Sequence, residues 1–504
     1  MRHSDHIALH ARLEPNRPAV FWRGAWISYA QLDLAIEQFA AQMLELGVER
    51  DDRVSILALN KPVHLHGIYA AARHGWLHAP LNHRLPIPEL AAMLEYLGSK
   101  VLIYGQEFAE QATIIAQRCK IKIVALKDLT LEMQAITPKL EATPSSDDQT
   151  VMLLFTGGTT GIPKAAKISR RMFETNIFDT ISAWGLTTDD CTIIATPMFH
   201  AGVNALATPL LALGGRIAIL ESFTPKSYLE LSAAAQVTIH FAVPTMFQML
   251  VEDAAFSSHD FRKVKYAITG GSACSQAVRL AFEARGVAFK LGYGMTEAGV
   301  NCFCISLTEA RENPDSLGFP MPHLEAVIRN EHGLEVAPNT VGELTLSGHQ
   351  VTSGYWNLPL ETAETLRNLN GQTWLFTGDL AMRDQTGRHF IVGRRKEMFI
   401  SGGENVYPNE IERALLEHPA MLECAVLALP DERWGEVGLA AIVLRNQQTV
   451  LENDLKAFLK VRLAGYKIPK QYLFVATLPK SAAGKVLKRD LLEQFLTLKK
   501  GVKS

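Results

Sequence analysis

The stretch Val151-Met152-Leu153-Leu154-Phe155-Thr156-Gly157-Gly158-Thr159-Thr160-Gly161-Ile162-Pro163-Lys164-Ala165-Ala166 decides the reading of this chain. An apolar run with the look of a strand leads into a loop of glycines and threonines that ends in Pro163 and Lys164. Glycines let backbone N–H groups turn inward and approach an anion closely. The hydroxyls of Thr156, Thr159 and Thr160 add donors, and Lys164 adds a positive charge. The pattern reads as a phosphate-handling loop. It is not the P-loop of nucleoside triphosphatases, because G-x-x-x-x-G-K-[S/T] is absent. Alone, it also fits an ordinary surface turn, so the segments around it carry the decision.

Composition narrows the field. At 504 residues the chain exceeds what one hydrophobic core usually serves, so two or more domains are expected. A hydrophobic share of 48% with 20% charged residues is that of an ordinary globular protein. The formal net charge of −2 gives no reason to expect a nucleic-acid partner. Residues 1–6 lack the apolar stretch of a secretory signal, and no apolar run is long enough for an integral membrane segment. The six cysteines are scattered, apart from Cys302-Phe303-Cys304, and form neither a zinc spacing nor a disulfide framework. A cytoplasmic location fits these features.

Residues 29–47 carry apolar positions at helical spacing (Leu32, Ile36, Phe39, Ala40, Met43, Leu46) and stop at Gly47. Val54–Leu59 reads as a buried strand, and 64–75 as another helix ending on glycine. Such alternation argues for a layered α/β architecture. The run Thr143-Pro144-Ser145-Ser146-Asp147-Asp148 is a polar connector, and Lys499–Lys503 a solvated basic tail.

Downstream, four more segments stand in order: Gly292-Tyr293-Gly294-Met295-Thr296-Glu297; Phe376-Thr377-Gly378-Asp379-Leu380; Gly393-Arg394-Arg395-Lys396-Glu397, running on to Ser401-Gly402-Gly403-Glu404-Asn405-Val406-Tyr407-Pro408; and Pro479-Lys480-Ser481-Ala482-Ala483-Gly484-Lys485. With the first loop, this set resembles the signature motifs of the acyl-adenylate-forming enzymes: acyl-CoA synthetases, adenylation domains and firefly-type luciferases. Gly157 stands where many relatives have serine, and Ala165 where many have glycine; both are small enough to keep the loop's geometry.

The resemblance implies an α/β fold with a large multi-layer N-terminal domain of β-sheets flanked by helices, residues 1–395. A small mobile α+β domain, residues 396–504, follows a hinge at Lys396. It implies a two-step activity. A carboxylate attacks the α-phosphate of ATP to give an acyl-AMP and pyrophosphate; the thiol of coenzyme A then takes the acyl group and expels AMP. ATP, Mg2+ and CoA are the implied cofactor and co-substrates, and an apolar fatty or aromatic acid the implied substrate. A homodimer is compatible with the sequence.

The roles carried over from the family fall on named positions. Thr156, Gly157, Gly158, Thr159, Thr160, Gly161 and Lys164 would hold phosphates. Gly271, Ser272 and Ala273 would lie beside adenine, although an ordinary turn explains them nearly as well. Tyr293, flanked by Gly292, Gly294 and Met295, would stack on adenine. Thr296 would lie close to the α-phosphate and the acyl carboxylate, and Glu297 would hold magnesium through hard carboxylate oxygens. Asp379 would accept from both ribose hydroxyls and Arg394 would grip the same ribose; the bland alternative makes Asp379 a turn residue. Lys485 would bridge carboxylate and α-phosphate as a point charge. His200, Gly202 and Phe178 are the acyl-pocket candidates, His200 reading otherwise as a satisfied core histidine. Ser401, Gly402 and Gly403 would let the pantetheine arm pass, and Trp434 would touch CoA or be a partly buried core residue. Phe-His-Ala-Gly, where peptide-synthetase domains carry an aspartate nearby, argues against amino-acid substrates. An acyl-AMP ligase that loads a carrier protein and a non-catalytic nucleotide-binding regulator are the rival readings.

Overall fold

A computed structural model describes residues 5–126, 146–156, 163–271, 274–445, 448–480 and 486–501. The helix expected from residue 29 spans Tyr29–Glu45, and Ser28 caps it in a reciprocal box with Gln31. The helix Val63–His74 ends at Gly75, which takes a left-handed φ of 86° that closes the last turn. These helices carry buried apolar stripes, and Arg73 ties them to the first helix, pairing with Asp5, Asp33 and Glu37.

Two mostly parallel sheets form the body. One has seven strands in the order Ala288–Leu291, Tyr266–Thr269, Ile239–Ala242, Cys191–Ile194, Arg216–Ile219, Pro18–Trp22, Ala25–Ser28; only the last pairing is antiparallel. The other has six, in the order Lys122–Ala125, Val101–Tyr104, Arg53–Leu57, Leu77–Pro80, Thr150–Phe155, Ala165–Ser169. Their strands read as continuous apolar runs because helices cover them. The helices Arg170–Trp184 and Val203–Leu213 join one core with residues of both sheets, and Val203 to Ala212 are all buried. An antiparallel sheet built from Leu324–Arg329, Gly342–Gly348, Gln372–Arg383, Leu366–Leu369 and His389–Arg394 adds Leu344, Leu346 and Leu375 to the same core.

Residues 399–495 build cores of their own, one around Phe399, Ile411, Ile442 and Leu459, the other around Leu439, Leu473 and Leu491. Their sheet runs Glu404–Val406, Phe399–Ser401, Gly435–Leu444, Met421–Asp431, with Gln471–Phe474 parallel to Gly435–Leu444. The fold is thus a large domain of sheets flanked by helices and a smaller α+β domain. The change of sheet falls between Arg394 and Phe399, where Glu397 and Met398 both donate to the Arg394 carbonyl in a tight turn. Ion pairs Arg413–Asp315 (3.2 Å) and Arg445–Glu252 (2.7 Å) cross between the two parts. All six cysteines are free thiols. Among the described residues no helix is long and apolar enough to cross a membrane.

Candidate active site

Thr150–Phe155 and Ala165–Ser169 pair antiparallel, and the Thr156 amide donates to the Lys164 carbonyl at 2.8 Å. The glycine–threonine loop is therefore the connection of a hairpin at a sheet edge, its base pinned at Thr156 and Lys164. Gly157, Gly158, Thr159, Thr160 and Gly161 lie outside the described residues. From the base, the Lys164 ammonium sits 5.0 Å over the ring of Tyr355. The Tyr355 hydroxyl in turn donates to Glu297 Oε1 at 2.9 Å. Burial and the Glu297 charge both push the Tyr355 hydroxyl above its ordinary pKa, so it stays a donor to that carboxylate. Tyr355 is the residue that sequence reasoning missed. Its only signal is the Gly354-Tyr355-Trp356 run, and a lone aromatic in a loop is unspecific.

Glu297 lies in a short 3-10 turn, Thr296–Ala298, after the strand Ala288–Leu291. Gly292 follows that strand and donates to the Thr269 carbonyl at the end of its parallel neighbour. The motif thus stands at the carboxyl ends of parallel strands, where open α/β sheets bind ligands. Gly294 is sterically obligatory: a Cβ there would lie 2.0 Å from the Val300 carbonyl oxygen. Met295 accompanies it, its amide donating to the Gly299 carbonyl. Gly271 follows the neighbouring strand at φ +90°; Ser272 and Ala273 lie outside the described residues.

Tyr293 projects toward the antiparallel sheet. Its ring meets Phe303 edge to face, and its hydroxyl donates to Asp379 Oδ2 at 2.6 Å. Burial, then the Asp379 charge, holds that hydroxyl well above its usual pKa, in the donor form. Arg394 Nε lies 3.0 Å from Asp379 Oδ1. A carboxylate has about four lone-pair sites, so each Asp379 oxygen keeps acceptor capacity beyond these two bonds. Asp379 itself is 5% exposed while the Arg394 side chain is half-exposed, so the pair opens to one side.

A small cavity is lined by Thr296 together with Leu154, Ile168, Met172, Phe173, Asn176, Ala201, Asn204, Gly299 and Val300. One expectation is corrected here. Phe178 is 58% exposed and its ring meets His6, on the outer side of the helix Arg170–Trp184. Met172, Phe173 and Asn176 face the cavity; two residues past Asn176 is the opposite side of a 3.6-residue period. His200 and Gly202 flank Ala201 without bordering the cavity: the His200 ring packs on Phe199, and Gly202 precedes the helix Val203–Leu213.

In the small domain Ser401 is buried and pairs with Gly435, while Gly402 (φ +62°) and Gly403 (φ +88°) form the turn of an exposed hairpin. Trp434 is 37% exposed and lies against Gly402, with Arg433 and Lys470 over its ring. It is neither a core residue nor buried. Lys480 pairs with Glu423 at 2.6 Å; Lys485 lies outside the described residues.

The sequence matches the AMP-binding enzyme profile over residues 7–356 and the profile of that family's C-terminal domain over 410–485. The chain belongs to the AMP-binding enzyme family. It is 34% identical to a feruloyl-CoA synthase of Amycolatopsis sp. over 96% of this chain and 97% of that protein. It is 32% identical to an indoleacetate–CoA ligase of Aromatoleum aromaticum over 97% and 98%. Among solved structures, o-succinylbenzoate CoA synthetase of Bacillus subtilis in complex with ATP and magnesium ion superposes with a TM-score of 0.86 at 27% identity, covering 97% of this chain and 99% of that one. The chain is an AMP-forming acyl-CoA synthetase by family, and the acyl-adenylate-forming resemblance drawn from its motifs is correct.

Proposed function

We propose that this enzyme activates an apolar aromatic or aliphatic carboxylic acid as its adenylate and transfers the acyl group to coenzyme A. The observation that carries the reading is the convergence of Thr296. It lines the cavity, and its chain neighbour Glu297 accepts from Tyr355, whose ring lies under the Lys164 ammonium. An acid seated in that cavity would place its carboxylate beside the nucleotide motif.

Ribose hydroxyls would donate to Asp379, held in place by Tyr293 and Arg394. Adenine would lie along Tyr293 and the strand end at Gly271. Lys164 and the loop before it would face the phosphates. Glu297 fits a magnesium ion: it is a buried, hard-oxygen donor fixed by the Tyr355 hydroxyl, and one carboxylate plus phosphate oxygens is a common magnesium set. When bound, that ion supplies charge neutralisation at the phosphates. The carboxylate oxygen attacks the α-phosphorus, the bond to the bridging oxygen breaks, and pyrophosphate leaves. Lys485 would draw the two anions together in this step. The CoA sulfur then attacks the acyl carbon and AMP departs with the shared oxygen. A bare carboxylate lacks such a leaving group, so activation must come first.

The Gly402–Gly403 hairpin, with Trp434, Arg433 and Lys470 beside it, would receive the CoA arm. Lys485 and this hairpin sit on one small domain, and each must reach the same acyl–phosphate centre. Rotation about Lys396 between the half-reactions resolves that conflict.

The test measures pyrophosphate release from ATP with a panel of acids, then thioester formation on adding CoA. Release without thioester would favour a carrier-protein acceptor. No release with any acid would favour a regulator. In Lys485→Ala, pyrophosphate release should fall roughly 10²–10³-fold while preformed acyl-AMP still reacts with CoA. Equal loss in both halves removes Lys485 from the adenylation step.

A further inference from the structure

The cavity beside Thr296 is mostly apolar, yet on or next to its wall stand amide oxygens that have no donor among the described residues. Asn176 is 3% exposed and its amide nitrogen donates to the Asn204 carbonyl at 3.0 Å. Gln350 is fully buried and its amide nitrogen donates to Asp179 Oδ2 at 2.8 Å. These bonds fix which end of each amide is which, because a flipped amide would set oxygen against oxygen. The other ends, Asn176 Oδ1 and Gln350 Oε1, have no hydrogen-bond donor among the described residues.

Both oxygens face one place. A Cβ on Gly299 would lie 2.8 Å from Gln350 Oε1 and 3.2 Å from Asn176 Oδ1. Gly299 has a φ of +69° and lines the cavity with Asn176. Asn204, 6% exposed and also on the wall, adds a third buried oxygen, Oδ1, with no donor among the described residues. Two partial negative charges brought together in a buried site repel each other, and each buried acceptor left unpaired costs about 1–3 kcal/mol.

The arrangement is held from behind. Asp179, 2% exposed, accepts from Gln350, from the His323 amide at 3.1 Å and from His323 Nδ1 at 2.6 Å. This holds the Gln350 oxygen rigidly beside Gly299, which lines the cavity. A purely apolar acid would gain nothing from such oxygens and would leave them unpaired.

We infer that the acid this enzyme activates carries a hydrogen-bond donor on its body, a phenolic hydroxyl or ring N–H, that is received by Asn176 Oδ1 and Gln350 Oε1 beside Gly299. The inference rests on the acid–CoA ligase reading and narrows its substrate to donor-bearing acids, aromatic ones above all. The two residues are specificity determinants and take no part in bond making.

The experiment uses the full-length enzyme and pairs of acids differing by one donor: 4-hydroxycinnamate against cinnamate, 4-hydroxybenzoate against benzoate, indole-3-acetate against naphthalene-1-acetate, with octanoate as an aliphatic control. In at least one pair kcat/KM for the donor-bearing acid should be higher by roughly 10–10²-fold, the range of one buried hydrogen bond. In Asn176→Leu and Gln350→Met that ratio should fall to within about threefold of unity. The readout is the ratio within a pair, so a general loss of activity does not imitate it. Equal use of both members of every pair by the wild-type enzyme overturns the inference, even where the variants fail to fold, and means that water satisfies these oxygens. A preference that both variants keep overturns it too. If no acid yields pyrophosphate, the ligase reading itself fails and this inference goes with it.

Discussion

Asp379 and Arg394 stand directly opposite each other in adjacent antiparallel strands, and Arg394 Nε lies 3.0 Å from Asp379 Oδ1. The hydroxyl of Tyr293, 86 residues earlier, closes on the other carboxylate oxygen at 2.6 Å. Cross-strand register therefore joins two motifs that are fifteen positions apart, and the sheet's packing against the strand ends brings in a third.

If this trio receives the ribose, Asp379→Asn should lower kcat/KM for ATP by roughly 10–10²-fold, the scale of a lost charge-assisted hydrogen bond. The KM for the acid should move less than about threefold. A parallel rise in both KM values would mean that the substitution disturbs the fold and would remove Asp379 from nucleotide binding.

Tyr355 links Lys164 to Glu297 and yields a graded test. Tyr355→Phe keeps the ring under the Lys164 ammonium and deletes the hydroxyl that donates to Glu297. Pyrophosphate release should drop about 5–10-fold, and the magnesium titration should shift to higher concentration. Glu297→Ala should cost more, on the order of 10²-fold. A magnesium midpoint unchanged in both variants places the metal elsewhere.

Lys396 is exposed in the turn between the two sheets, next to Arg395, whose amide donates to the Gly378 carbonyl at 2.9 Å. Proline at 396 fixes φ near −65° and restricts Arg395. Lys396→Pro should leave adenylation largely intact and slow thioester formation by about tenfold or more, if the turn is the pivot. Single-turnover measurements of each half separate the cases, and unimpaired CoA transfer in this variant removes Lys396 as a hinge.

Lys290 gives a prediction about stability. It is 4% exposed, with its ammonium 4.2 Å over the Tyr266 ring and 4.9 Å over Trp184. Burial lowers its pKa from 10.5 to about 8. Below about pH 8 the lysine is charged in both folded and unfolded chains, and the folded state bears the full desolvation cost. Between 8 and 10.5 the unfolded chain holds the proton more tightly, so this group's contribution to stability rises with pH. Lys290→Met should therefore raise the melting temperature at pH 7, with the advantage shrinking as pH climbs toward 10. A variant less stable at pH 7 would show that the aromatic cage outweighs desolvation.

The nucleotide motifs were legible from sequence because each is local. Glycines at 292 and 294, a threonine–glutamate pair and a Thr-Gly-Asp run impose backbone and chemistry within a few residues. The helix ends at Gly47 and Gly75 were legible for the same reason, since a left-handed residue closes a helix whatever surrounds it. Order along the chain was enough to place the family. Tertiary packing decided what spacing could not hold. Tyr355 reaches Glu297 across 58 residues, and Gln350 reaches Asp179 across 171. Phe178 went to solvent while Asn176, two residues earlier, turned inward, because helical phase against the neighbouring sheet sets which side is buried. A sequence motif fixes what a residue can do within its own turn of chain; which distant side chain completes it depends on sheet register and helix rotation, and these are settled only when the whole core closes.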